Sequence, residues 1–321
     1  MGVRLDHPLR GRVALPLLVA LIAFPFAMHA IDEPFYVVLA SRMLIFALLA
    51  TSLNLLVGFG GMVSFGHAAF LGTGAYVVAI LMQYGITSAW IAWPAAVAVA
   101  GLAALVIGAV SLRTRGVYFI MITLAFAQMT YFVVVSIKAY GGDDGLPLPA
   151  RSMVVPGVDL ASDTLFYYLV LAVVACGFFA FSRLVNSRFG RVLQGIRENE
   201  TRMEAVGYPV YRYKLVAFVV SGAVAGLGGA LLVNQNELAS PGMLAWPQSG
   251  MLLTMVILGG VGTLWAGVTG AAVLLLIEEI LSTYTIHWQL GVGLVLLAVV
   301  LFAPKGLATL AHAIGRPARD G

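Results

Sequence analysis

The sequence predicts an all-α integral membrane protein, a polytopic helical bundle of roughly 8–10 transmembrane helices with ten the favoured count and both termini cytoplasmic. Of the 321 residues, 61% are hydrophobic and 10% are charged, whereas about a quarter of a soluble domain is charged. The charges are also clustered, since no Asp, Glu, Lys or Arg occurs between Arg42 and Arg113. With a single cysteine, Cys176, the chain has no intrachain disulfide. A soluble enzyme, a disulfide scaffold and a nucleic-acid-binding protein are therefore excluded.

Ten apolar segments are predicted to cross the membrane. The first 30 residues resemble a signal peptide, but Met28-His29-Ala30 is a poor cleavage site, so we expect an uncleaved first helix. Residues 250–281 would form a helix about 48 Å long, and the glycines in 258–264 are expected to divide it in two. The predicted segments are 13–30, 35–57, 61–82, 88–112, 116–137, 164–182, 214–234, 250–263, 266–281 and 286–303.

The basic residues predict the orientation of the chain. With ten crossings and both termini inside, 15 of the 18 Lys and Arg residues lie on the cytoplasmic side, as the positive-inside rule requires. The outer loops collect acidic residues instead. Two connections are long: a periplasmic loop at 138–163 and a cytoplasmic loop at 183–213. The whole chain, 1–321, is expected to form a single transmembrane domain.

The inner loop predicts one or two short amphipathic helices. Gly207 suits the C-terminus of a helix, and Pro209 cannot continue one. Two interpretations stay open: a solvated loop that only obeys the positive-inside rule, or a helix that docks a soluble partner. Glutamates interleaved with the arginines favour a protein contact over a polybasic lipid patch. Apolar residues recur at roughly helical spacing at Val192, Leu193, Ile196, Met203 and Val206.

Glycines predict two interruptions of the membrane helices. They crowd residues 58–74, and a second run at 258–267 follows about 200 residues later. Non-helical backbone at membrane depth is tolerated only inside protein or beside water, and paired interruptions are typical of transport pathways. Close helix packing through small residues is the open alternative. For Gly222, Gly226 and Ala230, spaced by four, helix packing is the favoured interpretation.

Polar residues within the apolar segments are the candidates for a translocation path. Such residues are costly in a membrane, so each marks either a functional position or an internal hydrogen bond. A lone histidine is more often satisfied by a neighbouring carbonyl or hydroxyl than used as a proton carrier. Arg42 either snorkels or pairs with a carboxylate. No catalytic residue and no metal site is predicted. The path candidates are Asn54, Ser64, His67, Thr123 and Gln128.

Three stretches carry a resemblance to a known family. One is Tyr213-Lys-Leu-Val-Ala-Phe218 with its continuation Gly226-Leu-Gly-Gly-Ala230. The others are Leu53-Asn-Leu-Leu-Val-Gly-Phe-Gly-Gly61, continuing to Tyr76, and Leu258-Gly-Gly-Val-Gly-Thr-Leu264, continuing to residue 272. In these stretches the chain resembles the permease subunit of branched-chain amino-acid ABC importers. Its N-terminal apolar segment and long outer loop are similar to the longer of the two permease types.

The resemblance implies a complex in the bacterial inner membrane. A second permease pairs with this one, as a heterodimer, and two cytoplasmic ATPases dock on the inner loops. A periplasmic solute-binding protein delivers a branched-chain or related hydrophobic amino acid. The chain itself is not expected to be an enzyme or to bind a cofactor, because it lacks Gly-x-x-x-x-Gly-Lys-Ser/Thr and the ATPases would hold ATP and Mg²⁺.

The resemblance also assigns the ATPase contact to the inner loop. Alternatives from the same residues are a permease for urea or short amides, an ion-coupled secondary transporter that works alone, and a membrane scaffold without transport. The residues assigned to ATPase coupling are Arg188, Phe189, Gly190, Arg191, Arg197, Glu198, Asn199, Glu200, Glu204, Ala205 and Gly207.

Overall fold

The computed structural model describes residues 11–154, 160 and 162–302, and within them the chain forms a bundle of helices. A π-helical turn, Leu55–Phe59, extends the second helix, and two-residue strands β1 (Leu146–Pro147) and β2 (Leu238–Ala239) pair antiparallel. Short 3-10 turns cover Lys138–Tyr140 and Pro241–Leu244. The helices are α1 (Gly11–Ala30), α2 (Phe35–Asn54), α3 (His67–Gln83), α4 (Ala89–Ser111), α5 (Val117–Ser136), α6 (Asp163–Asn186), α7 (Arg188–Glu198), α8 (Glu200–Ala205), α9 (Val210–Asn236), α10 (Trp246–Gly259), α11 (Ala266–Tyr284) and α12 (Trp288–Phe302).

Each of the ten predicted apolar segments contains an apolar helix, so the all-α membrane architecture is confirmed. Six helices among the described residues are long and apolar enough to cross a membrane. They are α2 with its π-helical turn, α4, α5, α6, α9 and α11. The number of crossings stays a prediction, and so does the side of the termini, since residues 1–10 and 303–321 lie outside the described part of the chain.

Several helix boundaries differ from the prediction by three residues or more, and two of these boundaries lie at a glycine break. The segment predicted at 61–82 begins with irregular backbone, and its helix starts only at His67. The segment predicted at 250–263 starts earlier, at Trp246, and ends at Gly259. Both irregular stretches contain glycines at positive φ, Gly61 at 67° and Gly260 at 108°, a conformation that other residues avoid. Hydropathy cannot detect such breaks because the residues there remain apolar.

Helix α9 is at the centre of the bundle and packs against α2, α3 and α4. Glycines allow this approach: a Cβ at Gly222 would collide with Ala104, and a Cβ at Gly226 would collide with Ala100. On the α3 side, a Cβ at Gly74 would collide with the carbonyl of Gly226. In a lipid bilayer no hydrophobic force drives helices together, so the van der Waals contact of closely packed backbones has to stabilise their association.

Gly74→Ala tests this packing. The added methyl group meets the backbone of α9, so we expect a loss of about 3 kcal/mol in the free energy of unfolding, measured in detergent micelles. Gly250→Ala is the control, because its Cβ would lie at an ordinary 3.8 Å from the Phe65 ring. Its expected effect is below about 0.5 kcal/mol. Equal effects of the two substitutions would contradict the close packing of Gly74 against α9.

Helix α1 is fixed to the bundle at the level of a proline. Pro25 has no N–H, so the carbonyl of Leu21, one turn earlier, loses its helical donor. The Tyr167 hydroxyl of α6 donates to that carbonyl oxygen at 2.8 Å. The neighbouring Tyr168 hydroxyl donates to the carbonyl oxygen of Ile22, also at 2.8 Å. These two bonds satisfy main-chain groups that no water would reach in a bilayer.

An apolar groove of about 620 Å³ separates α1 from part of the bundle. Its walls come from α1, α2, α6 and α11, with Phe24, Met43 and Leu276 among them. Glu33 is the one charged residue that lines it. Helix α1 is therefore held by its two tyrosine contacts and by α2, while it stands away from α11.

Tyr167→Phe should loosen α1 from the bundle. The substitution leaves the Leu21 carbonyl without a donor, a cost of about 1–3 kcal/mol. Hydrogen–deuterium exchange of peptides covering 19–30 should become about tenfold faster, since 1.4 kcal/mol corresponds to a factor of ten. Tyr118→Phe on α5 is the control, as its side chain is 74% exposed. Unchanged exchange in Tyr167→Phe would mean that other contacts hold α1.

The connections gather at two ends of the bundle. At the first, the loop end, the 138–154 loop joins the chain after α9 through β1 and β2, and Met153 pairs with Ser88. Arg151 stabilises this loop by ion pairs with Asp163 at 2.7 Å and Glu237 at 3.4 Å. The other end, the joint end, contains the irregular segments 58–66 and 260–265 together with α7 and α8.

An ion pair also connects α2 and α11. The Arg42 guanidinium on α2 is 3.7 Å from the Glu278 carboxylate on α11, and it also lies over the ring of Phe46. Between the two possibilities left open by the sequence, pairing is therefore the one that the structure supports. The pair connects two helices that pack along their length.

Candidate functional site

The two glycine-interrupted segments meet at the joint end. The Asn54 side chain, at the last residue of α2, donates to the Thr263 carbonyl at 2.6 Å and accepts from the Gly262 N–H at 3.3 Å. Gly58 lies against the same turn, since a Cβ there would be 2.7 Å from the Gly262 nitrogen. We call the contacting pair Gly58 and Gly262, together with the neighbouring Gly61, the glycine joint. Segments about 200 residues apart in sequence are thus brought into direct contact.

The π-helical turn connects α2 to this joint. The Gly60 N–H reaches back to the Leu55 carbonyl at 3.1 Å, and the Met62 N–H reaches the Leu56 carbonyl at 2.9 Å. Single π-helical turns inside α-helices are frequent at functional sites. After Gly61 the chain runs irregularly to His67, so its polar backbone groups need partners other than a helical ladder.

Side chains of other helices supply these partners. The Phe65 N–H donates to the Thr123 hydroxyl of α5 at 3.2 Å, and the Thr123 hydroxyl donates to the Ile120 carbonyl at 2.9 Å. The Ser64 hydroxyl accepts from the Gly66 N–H at 3.1 Å. On α10, the Ser249 hydroxyl accepts from the Ala68 N–H at 2.8 Å. The irregular segment is therefore anchored to α5 and α10.

His67 is in a separate hydrogen-bond chain on the α9 side. Its Nε2 is 2.9 Å from the Ser221 hydroxyl, and that hydroxyl donates to the carbonyl of Ser52. Because Ser221 gives its proton to Ser52, the Nε2–H of His67 is the donor, which assigns the tautomer. The His67 ring is 0% exposed, and in the described part of the chain its Nδ1 has no hydrogen-bond partner.

The predicted path residues thus fall into different environments. Asn54, Ser64, His67 and Thr123 are all fully buried and hydrogen-bonded around the 52–68 segment. Gln128 stands apart on α5, half-buried, with an Oε1 that has no partner among the described residues. In this conformation the four buried side chains hold the irregular segment in place, and their part in a path stays a prediction. The sequence interpretation missed Ser221 and Ser249, which complete the set.

The inner loop folds into two short helices, as one of its interpretations predicts. Ser187 caps α7 by accepting from the Gly190 N–H at 3.4 Å, and Asn199 caps α8 by accepting from the Arg202 N–H at 2.8 Å. Gly207, at a φ of 95°, follows α8. Helix α7 buries Leu193 and Ile196 against the bundle. The α7–α8 pair is therefore an integral part of the joint end.

Ion pairs hold α8 to its neighbours. The Glu200 carboxylate is 2.7 Å from the Lys214 ammonium of α9 and 3.4 Å from the Arg115 guanidinium in the α4–α5 connection. Glu204 is 3.6 Å from the same guanidinium. A cavity of about 180 Å³ lies beside this cluster and is lined in part by Gly61 and Phe119. Arg115 and Lys214 are contacts that the sequence interpretation did not assign.

The coupling residues divide between an inward and an outward set. Gly190 packs on Val185, and Phe189 stacks on Tyr213 with ring centroids 5.4 Å apart. Arg197 and Glu200 also use their side chains within the chain, on Gly58 and the Arg115–Lys214 pair. Arg197 is nevertheless exposed, as are the residues of the outward set, Arg188, Arg191, Glu198, Asn199, Glu204, Ala205 and Gly207.

Paired interruptions of membrane helices, like the two breaks that meet here, are typical of membrane transport proteins. The chain belongs to the family described as branched-chain amino acid transport system / permease component, whose profile matches residues 35–303. The match begins at the first residue of α2 and leaves α1 outside.

Relatives with assigned names support the same family. The chain is 29% identical to the high-affinity branched-chain amino acid transport system permease protein LivM of Salmonella typhimurium, over 91% of this chain and 73% of that protein. It is 25% identical to LivH of Escherichia coli K12, over 85% and 92%. The guanosine ABC transporter permease protein NupQ of Bacillus subtilis is 23% identical over 54% and 59%. No solved structure matches the chain significantly.

Asn54→Ala tests the contact between the two breaks. It removes both bonds to the 262–263 backbone and leaves buried polar groups unpaired, so we expect a loss of about 3 kcal/mol in the free energy of unfolding. Asn186→Ala is the matched control, because its exposed side chain bonds only the Ser182 carbonyl of its own helix. Its expected cost is below about 0.5 kcal/mol. A small effect of Asn54→Ala would show that the breaks hold together without it.

Proposed function

We propose that this chain is the membrane-spanning permease subunit of an ATP-binding-cassette importer in the bacterial inner membrane. It would form the translocation path for branched-chain or related hydrophobic amino acids. The observation that carries the proposal is the α7–α8 pair, fixed to the bundle on one side and charged and exposed on the other. The family membership supports a role of this surface in transport, because the LivM and LivH relatives are named as transport permeases.

The outward face of the α7–α8 pair would contact two cytoplasmic ATPases. It offers Arg191, Arg202 and Glu198 around the exposed apolar residues Val206 and Tyr208. Mixed charge around a small apolar centre suits a protein interface. ATP and Mg²⁺ would be bound by the partner subunits.

The loop end would receive the solute-binding protein on the periplasmic side. Arg151 is suited to order this surface, since it is 10% exposed and holds Asp163 and Glu237 while stacking on the Phe166 ring at 4.8 Å. Exposed Asp143 and Asp144 lie on the same loop. A surface held in one conformation lowers the entropic cost of docking.

A second permease would complete the path. Relatives named LivM and LivH support a heterodimer of two permease types, with this chain as the LivM-like member. The path would pass Asn54, Ser64 and His67 in the 52–68 segment and Thr123 and Gln128 on α5. Few hydrogen-bonding groups along such a path suit a solute with an aliphatic side chain, and the choice of solute would come mainly from the binding protein.

The proposal is tested with the complete transporter in liposomes. The chain is co-expressed with a second permease and two ATPases of its own gene neighbourhood, purified and reconstituted with ATP in the lumen and binding protein outside. Uptake of radiolabelled leucine should require ATP and all subunits. Uptake by this chain alone, driven by an ion gradient, would refute the proposal in favour of a secondary transporter.

The ATPase contact has its own test by substitution. Arg191→Glu combined with Arg202→Glu reverses charge on the exposed face, so we expect capture of the ATPases in pull-down to fall about tenfold. Asp32→Asn at the far end of the bundle is the control, because asparagine tolerates the left-handed conformation of that residue (φ 63°). Normal capture by the double variant would place the ATPase contact elsewhere.

A further inference from the structure

Arg197 occupies the centre of the joint end. It is in the last turn of α7, and its Nη1 donates to the carbonyl of Gly58 at the end of the α2 helix. The side chain passes through a slot between two glycines. A Cβ at Gly61 would lie 2.9 Å from the Arg197 Cγ, and a Cβ at Gly262 would lie 3.0 Å from its Nη1. One side chain thus touches all three members of the glycine joint.

The chemistry of this contact suits an arginine. The last carbonyls of a helix lack helical donors and carry the negative end of the helix dipole, so a guanidinium that donates to one of them gains from both effects. Gly61 and Gly262 have φ values of 67° and 88°, so glycine suits both the backbone and the slot.

The joint connects to the main helices of the bundle. Asn54 fastens Gly262 and Thr263 to the end of α2, and Gly262 lies in the turn between α10 and α11. Helix α2 packs on α6, α9 and α11. A displacement of Arg197 would therefore reach the helices that meet at both glycine breaks.

Arg197 differs from the other arginines of α7 and α8 because its side chain bonds within the chain. Among the described contacts, the side chains of Arg188, Arg191 and Arg202 make no hydrogen bond or ion pair. The residue before Arg197, Ile196, is buried in the bundle. The outward arginines are free for a partner, whereas Arg197, although also exposed, uses its guanidinium on the Gly58 carbonyl.

We propose that Arg197 is a positioning residue, which transmits movement of the α7–α8 pair to the glycine joint. The inference rests on the function proposed above and changes the role of Arg197 from a contact with the ATPases to a link inside the permease. When the ATPases move the pair, the Arg197–Gly58 bond pulls on the end of α2 and on the turn between α10 and α11. Without this bond, the ATPases still hydrolyse ATP, but the helices around the path move little.

The test compares Arg197→Ala with Arg197→Lys in the reconstituted transporter. The measured quantities are ATPase capture, ATP hydrolysis and the number of leucine molecules taken up per ATP. For Arg197→Ala we expect normal capture, continued hydrolysis and a ratio of uptake to hydrolysis reduced about tenfold, as for the loss of one charged hydrogen bond. Arg197→Lys keeps a cationic donor and should recover a substantial part of the ratio. Arg113→Ala, an exposed arginine at the same end, should leave all three quantities unchanged.

Each other outcome has a definite meaning. An unchanged ratio in Arg197→Ala overturns the proposal. A loss of ATPase capture in Arg197→Ala, with a normal ratio in whatever complex remains, also overturns it and returns Arg197 to the ATPase contact. If Arg197→Ala does not insert or assemble, the ratio of uptake to hydrolysis in Arg197→Lys decides. A partly reduced ratio with normal ATPase capture and normal thermal stability supports the link, and a ratio equal to that of the unmodified protein refutes it. Failure of the unmodified chain to bind ATPases at all would refute the proposed function itself, which is a distinguishable result.

Discussion

Every backbone N–H and C=O inside the bundle needs a partner from the protein itself, and this constraint shapes the joint end. Along regular helices the ladder supplies those partners. Where the chain breaks, between Phe59 and His67 and again after Gly259, side chains replace the ladder: Asn54 on the turn at 262–263, Thr123 on Phe65 and Ser249 on Ala68. In an apolar medium each unpaired group would cost several kcal/mol. The buried polar residues are therefore the condition for having breaks at all.

The breaks in turn give the bundle two kinds of helix contact. Around α9 the helices pack at close range over glycines, which leaves little freedom to slide. At the joint end, by contrast, α2, α7 and the turn between α10 and α11 meet through a few directional bonds. Directional bonds at a single point allow rotation where an extended apolar contact does not. Helix α7 can therefore change its angle to the end of α2, whereas α2 and α11 are held together by packing along their length.

The sequence predicted the helical segments well and their meeting points poorly. Charge-free length is a local property, so hydropathy located all ten apolar segments, and turn chemistry at Gly207 and Pro209 marked the end of the inner loop. The start of α3 at His67 was missed because broken backbone can be as apolar as helix. The internal contacts of Arg197 and Glu200 were not foreseen, because Gly58 and Arg115 lie far from them in the chain. Only the folded chain brings such pairs together.

The way α1 is attached has a consequence for how this segment can change. Both tyrosines of α6 recognise carbonyl oxygens, which every residue type presents alike, and one of these oxygens is exposed by Pro25 alone. These two bonds put no restriction on the side chains at positions 21 and 22, whereas Phe24 and Phe26 also lie beside the tyrosine rings. The hydrogen bonds that attach this segment, which lies before the region matched by the family profile, therefore depend on a proline at position 25 and not on which side chain follows at position 21 or 22.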